Sequence, residues 1–298
     1  MIMDDTFAFI IHPIQIKKDV ARKFPLLGKM LTEGQINYLS RYFPPIYISH
    51  VEGVRSQDTQ NELTGWLLAC PYTPPTMLSL PVEMVYKKIV AVGKKAEKLG
   101  AKMLGLGAFT SVVGDGGITI AQRLDIPVTT GDSYTIVIAV EALEASARQM
   151  GFDMSDAVVA VVGATGAIGK TCSELLARRC AHLKLIGRRM DALEALREKC
   201  EGFGAEVSVS TQIEHIYDAD LVLAVTSAVH EVIEPRHLKP GAVVCDVARP
   251  RDVSKLVAEQ RDDVLVIEGG MVEIPGDVNF HFDFGFPEGK AYACMAET

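Results

Sequence analysis

Residues 157–170 read AVVAVVGATGAIGK: an apolar run, a glycine-rich turn, then a stretch free of Gly and Pro to 179. The run 158–162 is continuously apolar, as a strand buried on both faces of a parallel sheet must be. Gly163, Gly166 and Gly169 each have a separate reason to lack a side chain. Gly163 permits the tight turn, Gly166 lets phosphates approach, and Gly169 lets the helix pack close to the strand. With Ala164, Thr165, Ala167 and Ile168 between them, they form a turn whose N–H groups open a helix and can hold a pyrophosphate. An ordinary strand–turn–helix with no ligand is the alternative, but the three glycines in this strand–turn–helix context favour a dinucleotide site.

The next strand bears on which dinucleotide. An NAD site expects an acidic residue roughly 20 positions further on, to take the ribose hydroxyls. Here the strand 183–186 ends in Gly187-Arg188-Arg189, and the first carboxylate, Asp191, already lies in the following helix. A guanidinium matches a 2′-phosphate, which an aspartate would repel. The expected cofactor is therefore NADP(H), with Arg188 and Arg189 as its ribose-phosphate contacts.

Around this unit the chain divides near 151. Six strand candidates alternate with helices or short loops: 157–162, 183–186, 205–210, 220–226, 242–247 and 263–268. The alternation predicts a Rossmann-like doubly wound parallel sheet over 151–270. Ligands lie at strand carboxyl ends in such sheets. Thr226 and Ser227 after the fourth strand, and Ala248 and Arg249 after the fifth, are accordingly candidates for the nicotinamide side. Loop punctuation accounts for any one of them equally well.

The first half reads as a smaller α/β substrate domain, 1–132, with strands at 7–11, 45–50, 63–70 and 104–106. A helix over 82–99 has Val85, Ile89, Val92 and Ala96 on one face and lysines on the other. A long helix over about 133–150 connects the halves, with Asp132 or Ser133 as N-cap and Gly151 beyond its end. A C-terminal segment, 271–298, follows. Hydrophobic content of 48% with 23% charged residues suits a globular enzyme, and no apolar run is long enough to span a bilayer. The net charge of −8 argues against a nucleic-acid partner. Six scattered cysteines without a CxxC pair, and a start (MIMDDTFAFII) with acids where a secretory signal has bases, point to the reducing cytoplasm.

Several segments together carry a family resemblance. FAFIIHPI at 7–14, LGAFTSVV at 106–113, VTTGDSYT at 128–135, VAVVGATGAIG at 159–169, IEGGMVE at 267–273 and AYACMAE at 291–297 occur in one order along most of the chain. In this the chain resembles the long-chain acyl-acyl-carrier-protein reductases of cyanobacteria, NADPH-dependent enzymes that form fatty aldehydes. The resemblance implies a cysteine nucleophile in the ACxAE segment, here Cys294, and an acyl carrier protein or coenzyme A thioester as partner. The family's TTGNTHT appears as Thr129-Thr130-Gly131-Asp132-Ser133-Tyr134-Thr135. Relatives run several dozen residues past the cysteine, so the stop at Thr298 reads as a truncated, trimmed or partly disordered C-terminus and not as a different fold.

The chemistry stands beside the name. A cysteine that takes the acyl group first frees the carrier before reduction. Pro287 or Glu288 opening a helix would put Cys294 in an early turn with Lys290 one turn before it, which would lower the thiol pKa. His12, at the end of the first strand, is a candidate acid, though such a histidine is more often structural. Thr110, Ser111, Thr130 and Gly131 are expected on the substrate side. The lysines of 82–99 and Lys102 are either solvated surface or a docking face for an acidic carrier. A homo-oligomer is compatible with the chain. Two rivals remain. A shikimate-dehydrogenase-like enzyme would need near-N-terminal serines, yet His12 is followed by Pro13-Ile14. A non-catalytic NADP sensor would keep the glycine turn and lose the nucleophile.

Overall fold

The computed structural model describes residues 5–298, which divide into two compact units. The first, residues 5–131 with 272–298, is built on a five-stranded sheet. Its strands are β1 (Thr6–Ile11), β2 (Ile46–Arg55), β3 (Glu62–Ala69), β4 (Leu104–Leu106) and β5 (Val128–Thr129), in the order β2-β3-β1-β4-β5. β2 and β3 form an antiparallel hairpin; every other pairing is parallel. The helix Val82–Leu99 buries Val85, Ile89, Val92 and Ala96, as its periodicity requires.

Its lysine face is less free than expected. Lys88 Nζ donates to the Phe43 carbonyl at 2.7 Å and Lys95 Nζ to the Pro45 carbonyl at 3.2 Å. Lys94 pairs with Asp125 at 2.9 Å and with Glu97 at 3.0 Å. Two of these lysines therefore hold the chain that enters β2 and a third is neutralised, whereas Lys87 and Lys98 are exposed. The sequence pattern gives a lysine's face but not the carbonyls a long side chain can fold back to reach.

The second unit, residues 132–271, holds six parallel strands: β6 (Val158–Val162), β7 (His182–Ile186), β8 (Glu206–Ser210), β9 (Leu221–Ala224), β10 (Val243–Asp246) and β11 (Leu265–Glu268). Their order, β11-β10-β9-β6-β7-β8, is that of a doubly wound dinucleotide fold, with its switch point between β6 and β9. β6, β9 and β10 are buried almost throughout, which explains their unbroken apolar sequence. The helix Asp132–Gln149 belongs to this unit: Ile136, Ala139, Val140, Leu143 and Ala147 share a core with Val159, Val161 and Leu176. No helix among the described residues is long and apolar enough to cross a membrane.

β12 (Met271–Glu273) and β13 (Lys290–Tyr292) pair as a short ribbon where the chain re-enters the first unit. The helix expected from Pro287 or Glu288 does not form. Lys290 N–H closes a turn on the Pro287 carbonyl at 3.2 Å, and Gly289 takes a φ of +69° that no helix contains. The helix starts only at Ala293 and ends at Glu297. Lys290 therefore sits in a strand, 3.9 Å from Glu273, and not one helical turn before Cys294.

Candidate active site

In the second unit, the turn after β6 has the form its glycines foretold. Gly163 has a φ of +89°, and a Cβ there would lie 2.9 Å from the Val225 carbonyl at the end of β9. The turn thus sits at the switch point, against the neighbouring strand's carboxyl end. A Cβ on Gly169 would meet the Gly163 carbonyl carbon at 2.9 Å, so the helix Ala167–Leu176 packs as closely as glycine allows. At Gly166 a Cβ would meet only the Gly163 oxygen at 3.3 Å, and the residue is exposed. A side chain there would fill space outside the protein, where phosphates can approach helix N–H groups. The residues fit a dinucleotide. Thr165 Oγ1 lies 3.3 Å from the Cβ position of Gly187, which brings the turn beside the end of β7. Arg188 and Arg189, next in the chain, are exposed.

The ends of β9 and β10 are tied together by carboxylates that sequence reasoning missed. Asp252, fully buried, accepts from Thr226 N–H at 2.8 Å and from the Thr226 hydroxyl. Burial pushes its carboxyl up to about 6. Asp246, also buried and raised for the same reason, accepts from Ala248 N–H at 3.1 Å and Val253 N–H at 3.0 Å. Arg249 is spent within this loop: its guanidinium pairs with Glu268 and donates to the Ala248 carbonyl at 2.6 Å. Ser227 is exposed. Asp246 closes β10 and Asp252 lies in the loop after it, and a carboxylate at a strand end or in a loop carries no periodic signal, so only the fold reveals that these two are buried.

In the first unit, the carboxyl ends of β4 and β5 meet the C-terminal helix. Gly131 has a φ of +74°, and a Cβ on it would lie 2.7 Å from the Cys294 carbonyl oxygen and nearer still to the Cys294 Cα and Cβ. The TTG and ACxAE motifs are thereby one contact. Thr129 strengthens it: its hydroxyl donates to the Glu297 carboxylate and accepts from Gly131 N–H at 3.2 Å. Thr130 beside them is half-buried. Of the six cysteines, Cys294 alone is not buried. Burial raises the thiols of Cys70, Cys172 and Cys245 to about 12 and those of Cys180 and Cys200 to about 11, so these five remain protonated.

His12 is committed elsewhere in this unit. Its Nε2 accepts the Phe109 N–H at 2.9 Å, so the proton sits on Nδ1, 3.2 Å from the Pro13 carbonyl. Burial lowers its pKa to about 4 and keeps it neutral. This arrangement fits a residue that positions the turn at 107–111 better than a proton donor. The Thr110 hydroxyl donates to Gly107 O and the Ser111 hydroxyl to Ala108 O, both at 2.7 Å, within that same turn.

The glycine cradle on a doubly wound sheet is that of an NAD(P)-binding unit, and it places the chain in the NAD(P)-dependent oxidoreductase superfamily. Residues 120–268 match the model of the shikimate/quinate 5-dehydrogenase family, half of the chain, and the chain belongs to that family. The rival that the missing N-terminal serines counted against is thus the family of the nucleotide-binding half, and the match leaves out most of the first unit. The chain is 31% identical over 273 residues to the aminotransferase PigE of Serratia sp., covering 89% of this chain and 32% of that protein. It therefore spans about a third of PigE. It is 28% identical over 254 residues to the long-chain acyl-[acyl-carrier-protein] reductase of Synechococcus elongatus, covering 80% of this chain and 73% of that one. The resemblance read from the motifs is borne out by this homologue. A shikimate dehydrogenase solved with NADP+ is 14% identical and covers 88% of this chain and 84% of its own, at a TM-score of 0.45.

Proposed function

We propose that the protein reduces a long-chain acyl thioester to a fatty aldehyde, with NADPH as reductant and Cys294 as the acyl acceptor. The observation that carries the reading is the contact of Gly131 with Cys294, which joins two motifs of the reductase resemblance around the one cysteine that is not buried. The Cys294 thiolate attacks the acyl carbon, and the carrier departs as its thiol after taking up a proton. The glycine turn at Gly163, Gly166 and Gly169 would hold NADPH, and the chemistry it would supply there is hydride donation, which would bring the acyl group to the aldehyde level. Cys294 then leaves the reduced carbon as a thiolate, and the aldehyde is released. Arg188 and Arg189, which follow Gly187 where Thr165 meets the end of β7, are the residues that would hold a 2′-phosphate. The acyl donor is an acyl carrier protein or coenzyme A thioester.

The test is direct. The protein mixed with a long-chain acyl thioester and no NADPH should gain one acyl mass on the 291–297 peptide. Cys294→Ala should bind NADPH normally yet neither acylate nor form aldehyde. Aldehyde formation by Cys294→Ala at the parent rate would sink the mechanism.

The family match supports a second reading, NADP-dependent oxidation of a small hydroxy acid such as shikimate. That match lies mainly on the nucleotide-binding unit, whereas the Cys294 contact belongs to the first. Reduction of NADP+ by shikimate or quinate, unaffected by Cys294→Ala, would decide for it.

A further inference from the structure

Away from both sites, three metal-ligating side chains meet on the surface of the first unit. His50 and Glu52 stand two residues apart on β2, the edge strand of its sheet, and share one face of it. His281 comes from the returning segment, which is laced along β2. Glu52 N–H donates to Asn279 O at 3.2 Å, Asn279 N–H to Glu52 O at 2.9 Å, and Arg55 N–H to Pro275 O at 3.0 Å. The two imidazoles stack with centroids 3.9 Å apart. Both direct Nε2 at one carboxylate: His281 at 2.7 Å from Glu52 Oε1 and His50 at 3.7 Å from Oε2. One donor atom from each residue lies within 4.8 Å of the other two.

We infer that His50, Glu52 and His281 bind a divalent transition-metal ion, with Zn2+ as the reference case. Ligands about 2.1 Å from a tetrahedral ion stand roughly 3.4 Å apart. The distances of 2.7 and 3.7 Å bracket that spacing, so small side-chain rotations of exposed groups complete the site. Two imidazoles with one carboxylate select Zn2+, Ni2+ or Cu2+ over Mg2+ and Ca2+, which prefer oxygen donors. Three protein ligands leave a fourth position for water.

The backbone adds a separate observation. His281 has a φ of +47°, the left-handed region that a residue with a Cβ rarely adopts. It is pinned there by its N–H, which donates to Asn279 Oδ1 at 2.8 Å. The strain puts the ring over β2, and strained positions persist where the surroundings or a ligand hold them. An ion here would fasten to β2 the segment that continues to Cys294.

The full chain, stripped with chelator, is titrated calorimetrically with Zn2+ and with Mg2+. One Zn2+ per chain and no Mg2+ should bind, and saturating Zn2+ should raise the thermal transition. His281→Gly keeps the backbone conformation without strain, so this variant folds while its Zn2+ affinity falls by at least about tenfold and its thermal shift disappears. His50→Ala should lose affinity to the same degree, and Cys294→Ser should retain it. Unchanged Zn2+ affinity in both histidine variants, loss in Cys294→Ser, or no Zn2+ binding below about 1 mM in the parent protein would each overturn the assignment.

Discussion

Gly131→Ala puts the central contact of the candidate site to the test. Two costs add. An alanine held at a φ of +74° loses about 1 kcal/mol relative to glycine. Its Cβ would also lie 2.7 Å from the Cys294 carbonyl oxygen, so backbone must part from backbone by nearly 1 Å, at about 1–3 kcal/mol. Gly116→Ala separates the two: its φ is +66° and its surroundings are open to 4 Å. Urea unfolding should therefore show Gly131→Ala less stable than Gly116→Ala by about 1–3 kcal/mol. If the short helix lifts off, the loss is smaller and iodoacetamide should label the 291–297 peptide severalfold faster. In either case acyl transfer to Cys294 should fall on the order of a hundredfold, because displacement by about 1 Å is enough to misplace a nucleophile. Equal stability of the two variants together with an unchanged labelling rate at Cys294 would refute the contact.

Arg188→Ala should weaken NADPH binding by about 1–3 kcal/mol and leave NADH nearly unaffected; equal losses in fluorescence titrations of both would remove the 2′-phosphate role. His12, with its pKa lowered from 6.5 to about 4, binds fewer protons folded than unfolded between those values. Its contribution of about 3 kcal/mol is whole above pH 6.5 and is lost as pH falls towards 4, and His12→Gln should flatten that acid limb of the stability curve. Asp252 runs the other way. Its carboxyl, raised from 3.8 to about 6, makes the fold lose up to about 3 kcal/mol as pH rises through that window, and Asp252→Asn should abolish this slope in denaturation measured from pH 4 to 7.

The second unit was legible almost element by element. Its buried parallel strands are continuous apolar runs, and the turn after β6 needs glycine for reasons local to the turn. The first unit was legible in its strands and in the helix Val82–Leu99, where burial imposes a period. The end of the chain was not. Residues 287–292 have no apolar period, and the turn at Gly289 depends on partners in a segment far earlier in the register of the ribbon. Gly131 and Cys294 were each singled out from motifs, but their contact crosses too much sequence for any local pattern to report. Asp246 and Asp252 escaped notice because a carboxylate at a strand end or in a loop is ordinarily solvated, and only the packing of β9 beside β10 takes water away from them. The metal-ligating trio was hidden in the same manner, since His281 reaches β2 only through the returning segment.

Thr129 and Glu297, which brace the Gly131 contact, are 168 residues apart in the chain. At ribosomal speeds that separation is a delay of roughly 10–30 s between the synthesis of β5 and that of the helix seated beside it. During that interval every strand of the nucleotide-binding sheet has been made, while Gly105 and Gly131 await the residues that will cover them. A nascent chain therefore holds every strand of its cofactor sheet before it holds Cys294.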